Sequence, residues 1–403
     1  MVAENYILRE EKYGAHNYHP LPVVLERGKG VHVWDVEGKK YLDFLSGYSA
    51  LSQGHCHPKI IEALKEQAEK LTLVSRAFYS DILGEYMEFV CSFFGYDKLL
   101  PMNTGAEAVE TALKLCRRWG YDKKGVAPEK AKIIVCNENF HGRTITIVSM
   151  STDPTAYGGF GPYTPGFIKV PYNDTEVLQL VLKNPDVVGF LVEPIQGEAG
   201  VVVPDEGYLQ TCYELCRKHN VLFMADEIQT GIGRTGKLLA CDYESVRPDI
   251  LILGKALSGG VTPVSAVLAD DEIMLTIHPG EHGSTYGGNP LSSKVAIAAL
   301  QVVKDEQLAE NAFKMGNLFR SEMAKIENPM IKQVRGKGLL NAVVTEPRGN
   351  KTAWDICLAL KENGLIAKPT HEHIIRFTPP LIITAEQVKE AIGIIRNTFQ
   401  NFL

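Results

Sequence analysis

The chain has 403 residues, of which 45% are hydrophobic and 22% charged, with a formal charge of −6. That length allows two to three domains at about 150 residues each and a large core. The acidic balance argues against nucleic acid or an anionic membrane surface as a general partner, and no apolar run approaches the ~20 residues of a membrane span.

The amino end, MVAENYILREEKYG, has neither a basic-then-apolar signal nor an Arg/Ser-rich, acid-poor transit segment, so cytoplasm is the default location. Eight cysteines without a CxxC pair read as reduced and mostly buried. Cys212 and Cys216, one helical turn apart, read as core-facing. His55-Cys56-His57 and His371-Glu372-His373 lack metal-site spacing, so no metal is expected.

Residues 1–47 carry Tyr13-Gly14-Ala15-His16-Asn17-Tyr18-His19-Pro20-Leu21-Pro22, then VHVWDVEGKKYLDFLSG, which reads as two short strands around a Glu37-Gly38 turn. His57-Pro58 opens a helix with Ile60, Ile61, Leu64, Ala68 and Leu71 at helical spacing. Thr104 with Glu107 three residues on is a capping-box pattern. Gly105 and Ala106 would then offer bare backbone N–H groups at a helix start, a natural seat for a phosphate. A strand at 133–135 precedes Asn139-Phe140-His141-Gly142-Arg143, and 144–150, TITIVSM, looks strand-like by propensity. Val187 to Val192 is a buried strand ending in Glu193-Pro194-Ile195-Gln196-Gly197-Glu198, and 207–219 reads as a helix.

The stretch from Leu222 to Gly260 carries the chemistry. One apolar run ends in Asp226 and Glu227; a second, Ile250 to Leu253, ends in Gly254 and Lys255. Two strands therefore each deliver an ionisable group at the carboxyl end, where open α/β sheets place their ligands. A lysine just past a buried strand can be a free amine, which suits Schiff-base chemistry. A carboxylate on the neighbouring strand can hold a pyridine nitrogen protonated. GIGRTG also matches a dinucleotide pattern, but no helix able to receive a pyrophosphate follows it.

After Lys255, VSAVLA is another strand; Gly283 to Pro290 is a turn, and Pro290 begins a helix towards Lys304. From about 305 the pattern becomes helix, strand (Val334 to Thr345), helix, strand (His373 to Phe377) and a last helix capped by Thr384 and Gln387. That is a separate α+β unit.

Asp226-Glu227-Ile228-Gln229, the Gly233-Arg234-Thr235-Gly236 turn and GKALSGG from Gly254 to Gly260 together resemble the signature of the class-III, fold-type I pyridoxal-phosphate aminotransferases. The resemblance covers essentially the whole chain. It implies an α/β fold with a large domain built on a mostly parallel seven-stranded sheet, plus a smaller α+β domain. Residues 1–47 would be an N-terminal segment packing with the small domain, 48–295 the large cofactor-binding domain and 296–403 the small one. It also makes 144–150 the start of a helix.

By resemblance, pyridoxal 5'-phosphate is the cofactor. Lys255 is similar to the class's Schiff-base lysine and shuttles the proton between Cα and C4′. Asp226 would pair with the pyridinium nitrogen, Gln229 with the phenolic oxygen, and Gly105 and Ala106 with the phosphate. Phe140 would stack on the ring; His141 is placed with the cofactor-binding residues, although packing or a local hydrogen bond would serve as well. Ser284 and Thr285 are cofactor-binding in the same way, Thr285 reaching the phosphate from the other subunit of a homodimer with shared sites.

Within the class, YGAHNYHPLP resembles the ornithine-using branch, supported by Gly54 to Pro58, 139–144, 196–200 and 376–380. That likeness implies transfer of the δ-amine of L-ornithine to 2-oxoglutarate by a ping-pong route. Arg143 would grip ornithine's α-carboxylate, Tyr18 would hold its α-amine, and Tyr48 would line the pocket. Arg376 would take the near carboxylate of 2-oxoglutarate, with Glu198 masking that charge while ornithine binds; a permanent Glu198–Arg376 structural pair is the alternative. Gly47, Leu51-Ser52 and Thr262 depart from the usual pattern and bear on the pocket wall. Users of acetylornithine or 4-aminobutyrate, an aminomutase, and a non-catalytic cofactor binder are the competing readings.

Overall fold

The computed structural model describes residues 2–349 and 351–402. The chain runs through β1 (Leu25–Lys29), β2 (His32–Asp35), β3 (Lys40–Asp43), β4 (Lys98–Met102), β5 (Lys132–Cys136), β6 (Phe167–Val170), β7 (Val187–Val192), β8 (Leu222–Asp226), β9 (Ile250–Leu253) and β10 (Ser265–Ala269). It continues through β11 (Ile331–Lys337), β12 (Leu340–Thr345), β13 (Leu365–Ile366), β14 (Lys368–Thr370) and β15 (Ile374–Phe377).

A seven-stranded sheet, ordered β4-β10-β9-β8-β7-β5-β6, forms the frame. β6, β5, β7, β8 and β9 pair in parallel, while β10 is antiparallel to both of its neighbours. Sheets covered on both faces favour unbroken apolar strands. VVGFLV, ILIL and SAVLA are accordingly buried at every position. Ile133, Val135, Val188 and Met224 pack on one face with the helix Gly105–Asp122; Ile134, Phe190 and Phe223 pack on the other with Tyr208–Lys218. Gly120 lets the first helix sit directly on β7: a Cβ there would lie 2.3 Å from Val188 Cγ1. Cys212 and Cys216 both face this core, and all eight cysteines are free thiols.

A second sheet, β11-β12-β15-β14, is antiparallel throughout and packs with the helices Leu308–Met323, Ala353–Glu362 and Ala385–Gln400. A third joins β1-β2-β3 to β13, the last pairing parallel, so the amino-terminal segment shares a sheet with a strand more than 300 residues away. His19 stacks on Trp354 with ring centroids 4.3 Å apart, tying the Tyr13–Pro22 stretch to the same part of the molecule. The helix Pro290–Asp305 runs through the 295/296 position.

Most expected elements form where their local chemistry places them. The capping boxes at Thr104/Glu107 and Thr384/Gln387 are both made, and 145–149 is helical. Two expectations are corrected. The helix Pro58–Lys70 buries Ile60, Ala63 and Gln67, leaving Ala68 and Leu71 exposed. Gln67 can face inward because its amide donates to the carbonyl of Leu71. Residues 334–345 are two strands of a hairpin, not one strand: Gly338, at φ +54, reverses the chain between Lys337 and Leu340 in a conformation most side chains resist.

Candidate active site

β8 and β9 lie side by side in parallel, so Asp226 and Lys255 emerge from the same edge of the sheet, as strand-end chemistry requires. The two open into one cavity of about 220 Å³, lined also by Gly105, Ala106, Phe140, His141, Glu198 and Gln229. Eight residues scattered from 105 to 255 therefore meet at one place.

Lys255 sits at φ +43, immediately after Gly254. A non-glycine residue in the left-handed region is strained, and such strain persists where the surroundings hold it for a purpose. Burial lowers the pKa of Lys255; Glu198 opposes that and Arg376 adds to it. The result is a larger share of free amine at neutral pH.

Asp226 is buried, 5% exposed. Its Oδ2 accepts from His141 Nδ1 at 2.6 Å and its Oδ1 from the Ile228 N–H at 3.1 Å. Burial works against the His141 imidazolium, but the bond to Asp226 and the charges of Asp226 and Glu193 outweigh it, raising the His141 pKa. His141 thus backs the Asp226 carboxylate from behind.

The helix Gly105–Asp122 points its first turn at this cavity. Thr104 Oγ1 accepts from the Glu107 N–H, and Glu107 Oε2 accepts from the Thr104 N–H at 2.7 Å. That box fixes the helix start, and helix geometry leaves the Gly105 and Ala106 N–H groups without intrahelical acceptors. A side chain at 105 would press on Ile228, 3.1 Å from its built Cβ. The cradle is anion-ready by both dipole and donors.

Glu198, which lines the cavity, is paired with Arg376. Arg376 Nη1 donates to Glu198 Oε1 at 2.6 Å, and Gln229 Nε2 reaches the same oxygen at 3.5 Å. Burial disfavours the Glu198 carboxylate, but Arg376 more than compensates and holds its pKa below the usual range. Arg376 is 3% exposed and spends one donor here, while its Nε is buried without a partner. The guanidinium lies 5.3 Å from the Tyr48 ring. Tyr48, at φ +56, is the second strained residue of the site, and burial raises its hydroxyl pKa.

Arg143 lies outside this cavity. It lines an adjoining one with Phe140, Glu198 and His371, its guanidinium 5.6 Å from the Phe140 ring. Tyr18 is exposed, with Lys368 Nζ 5.9 Å from its ring. Ser284 and Thr285 do not line the cavity. Ser284 Oγ accepts from Asn103 Nδ2 and the Gly287 N–H, both at 2.9 Å, and Thr285 is exposed on the surface.

Two neighbours of the site escaped the sequence reading. Glu193 is buried in the cavity wall, Oε1 accepting from the Phe140 N–H at 2.8 Å and Oε2 from the Gly197 N–H at 3.3 Å. Burial pushes its pKa up to about 7, against the pull of His141. The signal for it was present, an acid ending an all-apolar strand, as at Asp226. Lys368 left no such signal, because its partner Arg376 is found only through strand pairing.

The residues fit a pyridoxal phosphate. A lysine amine, a backed carboxylate, a helix-start anion cradle and an aromatic ring surround one cavity, and Gln229 Oε1 is buried there without a partner that a bound polar group would satisfy. The fold and these groups define a fold-type I pyridoxal-phosphate transferase. The family description "Aminotransferase class-III" matches residues 13–399, and the chain belongs to that family.

A Rattus norvegicus relative named ornithine aminotransferase, mitochondrial, is 62% identical over 394 residues, spanning 98% of this chain and 90% of its own length. A Toxoplasma gondii ornithine aminotransferase, described with partial occupancy of PLP at its active site, superposes with a TM-score of 0.98 at 50% identity, over 99% of this chain and 94% of that one. An Elizabethkingia anophelis acetylornithine aminotransferase structure gives a TM-score of 0.91 at 60% identity, covering 99% of both chains. The cytoplasmic default is overturned: relatives from Rattus norvegicus, Drosophila melanogaster and Oryza sativa are all named as mitochondrial. Address segments are removable and lie outside the fold, so a folded chain's composition does not report its compartment.

Proposed function

We propose that this protein transfers the δ-amine of L-ornithine to 2-oxoglutarate, giving glutamate 5-semialdehyde and glutamate in two half-reactions at one site. The observation that carries the reading is the 2.6 Å bond from Arg376 to Glu198, a carboxylate that lines the Lys255 cavity. A site that must accept first a diamine and then a diacid needs a cation that can be masked. Arg376, with unspent donors and one carboxylate on it, is such a cation. The named relatives support the substrate choice.

When bound, pyridoxal phosphate supplies an electron-accepting ring that draws charge off the carbon carrying the amine. Asp226, backed by His141, would keep the ring nitrogen protonated. Gly105 and Ala106 would hold the phosphate by their N–H groups, and Gln229 would meet the phenolic oxygen. Phe140, which lines the cavity, would cover one face of the ring. Lys255 Nζ, its basicity lowered by burial, takes and returns the proton at the substrate carbon. Arg143 takes ornithine's α-carboxylate from the adjoining cavity, Tyr18 holds the α-amine away, and Tyr48 packs between. Ser284 and Thr285, set away from their own cavity, would serve the partner's phosphate in a homodimer. The division of labour is a cofactor-binding domain over 48–295 and a small domain over 296–403, with 1–47 packing on the latter.

Acetylornithine is the second reading, favoured by the likeness to the Elizabethkingia anophelis enzyme. Ornithine added alone to the yellow, cofactor-loaded enzyme separates the two. Bleaching of the visible band with one equivalent of semialdehyde is expected. Bleaching by acetylornithine but not by ornithine would overturn the reading.

A further inference from the structure

The small antiparallel sheet carries a row of charge that the reaction as described uses only in part. Arg335 pairs with Ala342, Ala342 with Arg376, and Arg376 with Lys368, each directly opposite across neighbouring strands. Directly opposed residues point to the same face, about 5 Å apart at Cβ. One face therefore presents three cations around a single alanine. The loop it meets, 197–200, supplies one carboxylate.

The three cations are not satisfied alike. Arg335 Nε donates to the Gly200 carbonyl at 2.9 Å, and Arg376 holds Glu198. Among the described residues no carboxylate lies within ion-pairing distance of Lys368. Its Nζ instead lies 5.9 Å from the centre of the Tyr18 ring. Like charges directly opposite one another destabilise a sheet pair. The Lys368–Arg376 pairing is thus a local cost, and local costs that survive in a fold mark functional sites.

We propose that Lys368 is a further specificity-determining residue of this site. Its ammonium is the second cation that, with Arg376, receives the near carboxylate of the dicarboxylate substrate once Glu198 moves away. While Glu198 sits on Arg376, only Lys368 of the directly opposed Lys368–Arg376 pair is without a carboxylate; without Glu198 both members of that pair are. A carboxylate is then favoured strongly over any neutral or cationic group, so masking and unmasking act on a pair of charges. Burial and Arg376 both press the Lys368 pKa down while Glu198 opposes them, and a bound carboxylate would relieve that pressure. The inference rests on the proposed ornithine/2-oxoglutarate reading.

The test uses the cofactor-loaded enzyme, the variants Lys368→Met and Lys368→Arg, and glutarate as an unreactive diacid probe. Lys368→Met keeps the apolar stem and removes the charge. Calorimetry is expected to show about tenfold weaker glutarate binding, ~1.4 kcal/mol, with a shallower salt dependence and recovery in Lys368→Arg. In steady state the ratio of KM for 2-oxoglutarate to KM for ornithine should rise about tenfold. Glutarate binding unchanged in Lys368→Met, or an equal loss for both substrates, would overturn the proposal. A wild-type enzyme that moves no amine from ornithine to 2-oxoglutarate would sink the underlying reading, and this one with it; an active wild type with an indifferent variant sinks this one alone.

Discussion

Glu193→Gln should change stability by an amount whose size depends on pH. The folded carboxyl, at a pKa of about 7 against an ordinary 4.5, keeps its proton over a range in which the unfolded one has lost it. The folded state therefore binds more protons between those values, and stability falls as pH rises through that window. A shift from 4.5 to about 7 corresponds to ~3 kcal/mol once pH has passed 7. Glutamine removes that burden. It keeps an acceptor for the Phe140 N–H at 2.8 Å but turns an NH₂ towards the Gly197 N–H, losing the weaker 3.3 Å bond, a loss of ~1 kcal/mol. Near pH 5, where little of the penalty has developed, the variant and wild type should be about equally stable. At pH 8 the variant should be more stable by about 2 kcal/mol. Urea midpoints of the cofactor-free proteins, followed by circular dichroism at both values, measure the difference. A gap that is the same at pH 5 and pH 8 would refute the account of Glu193 as a buried acid titrating near neutrality.

Lys255→Ala should leave a folded protein that forms no semialdehyde from ornithine; normal turnover would remove Lys255 from the chemistry. Tyr18→Ile should weaken ornithine and improve 4-aminobutyrate, which has no α-amine to hold, and an unchanged ratio of kcat/KM values would release Tyr18 from that role. Glu198→Ala leaves Arg376 buried and uncompensated. Stopped-flow measurement of the separate half-reactions should show the ornithine step slowed more than the glutamate step, whereas equal slowing would make the pair merely structural.

The sequence was a good guide wherever the deciding interaction is short-ranged. Thr104 and Glu107 make their box across three residues, and nothing remote is needed to form it. VVGFLV and ILIL announce doubly covered strands because every position is apolar, and their ends then place Asp226 and Lys255. TITIVSM shows the limit of propensity alone: its β-branched residues favour a strand, yet 145–149 is helical, as the family likeness implied.

What escaped was decided at long range. The inward face of Pro58–Lys70 is set by what packs over it, so Gln67 is buried and Leu71 is not. Glu193 ends an apolar strand as Asp226 does, a signal the sequence carries, but that the Phe140 and Gly197 N–H groups would close on its carboxylate was decided by the fold.

By itself the chain spells out its strands, its caps, its lysine and its carboxylate, since each depends on neighbours a few residues away. Only the tertiary structure sets Arg335, Arg376 and Lys368 in one row and brings Glu198 to 2.6 Å from Arg376 across 178 residues of sequence. Strand register and loop approach are outcomes of packing the whole molecule, and no local pattern encodes which distant side chain will stand opposite.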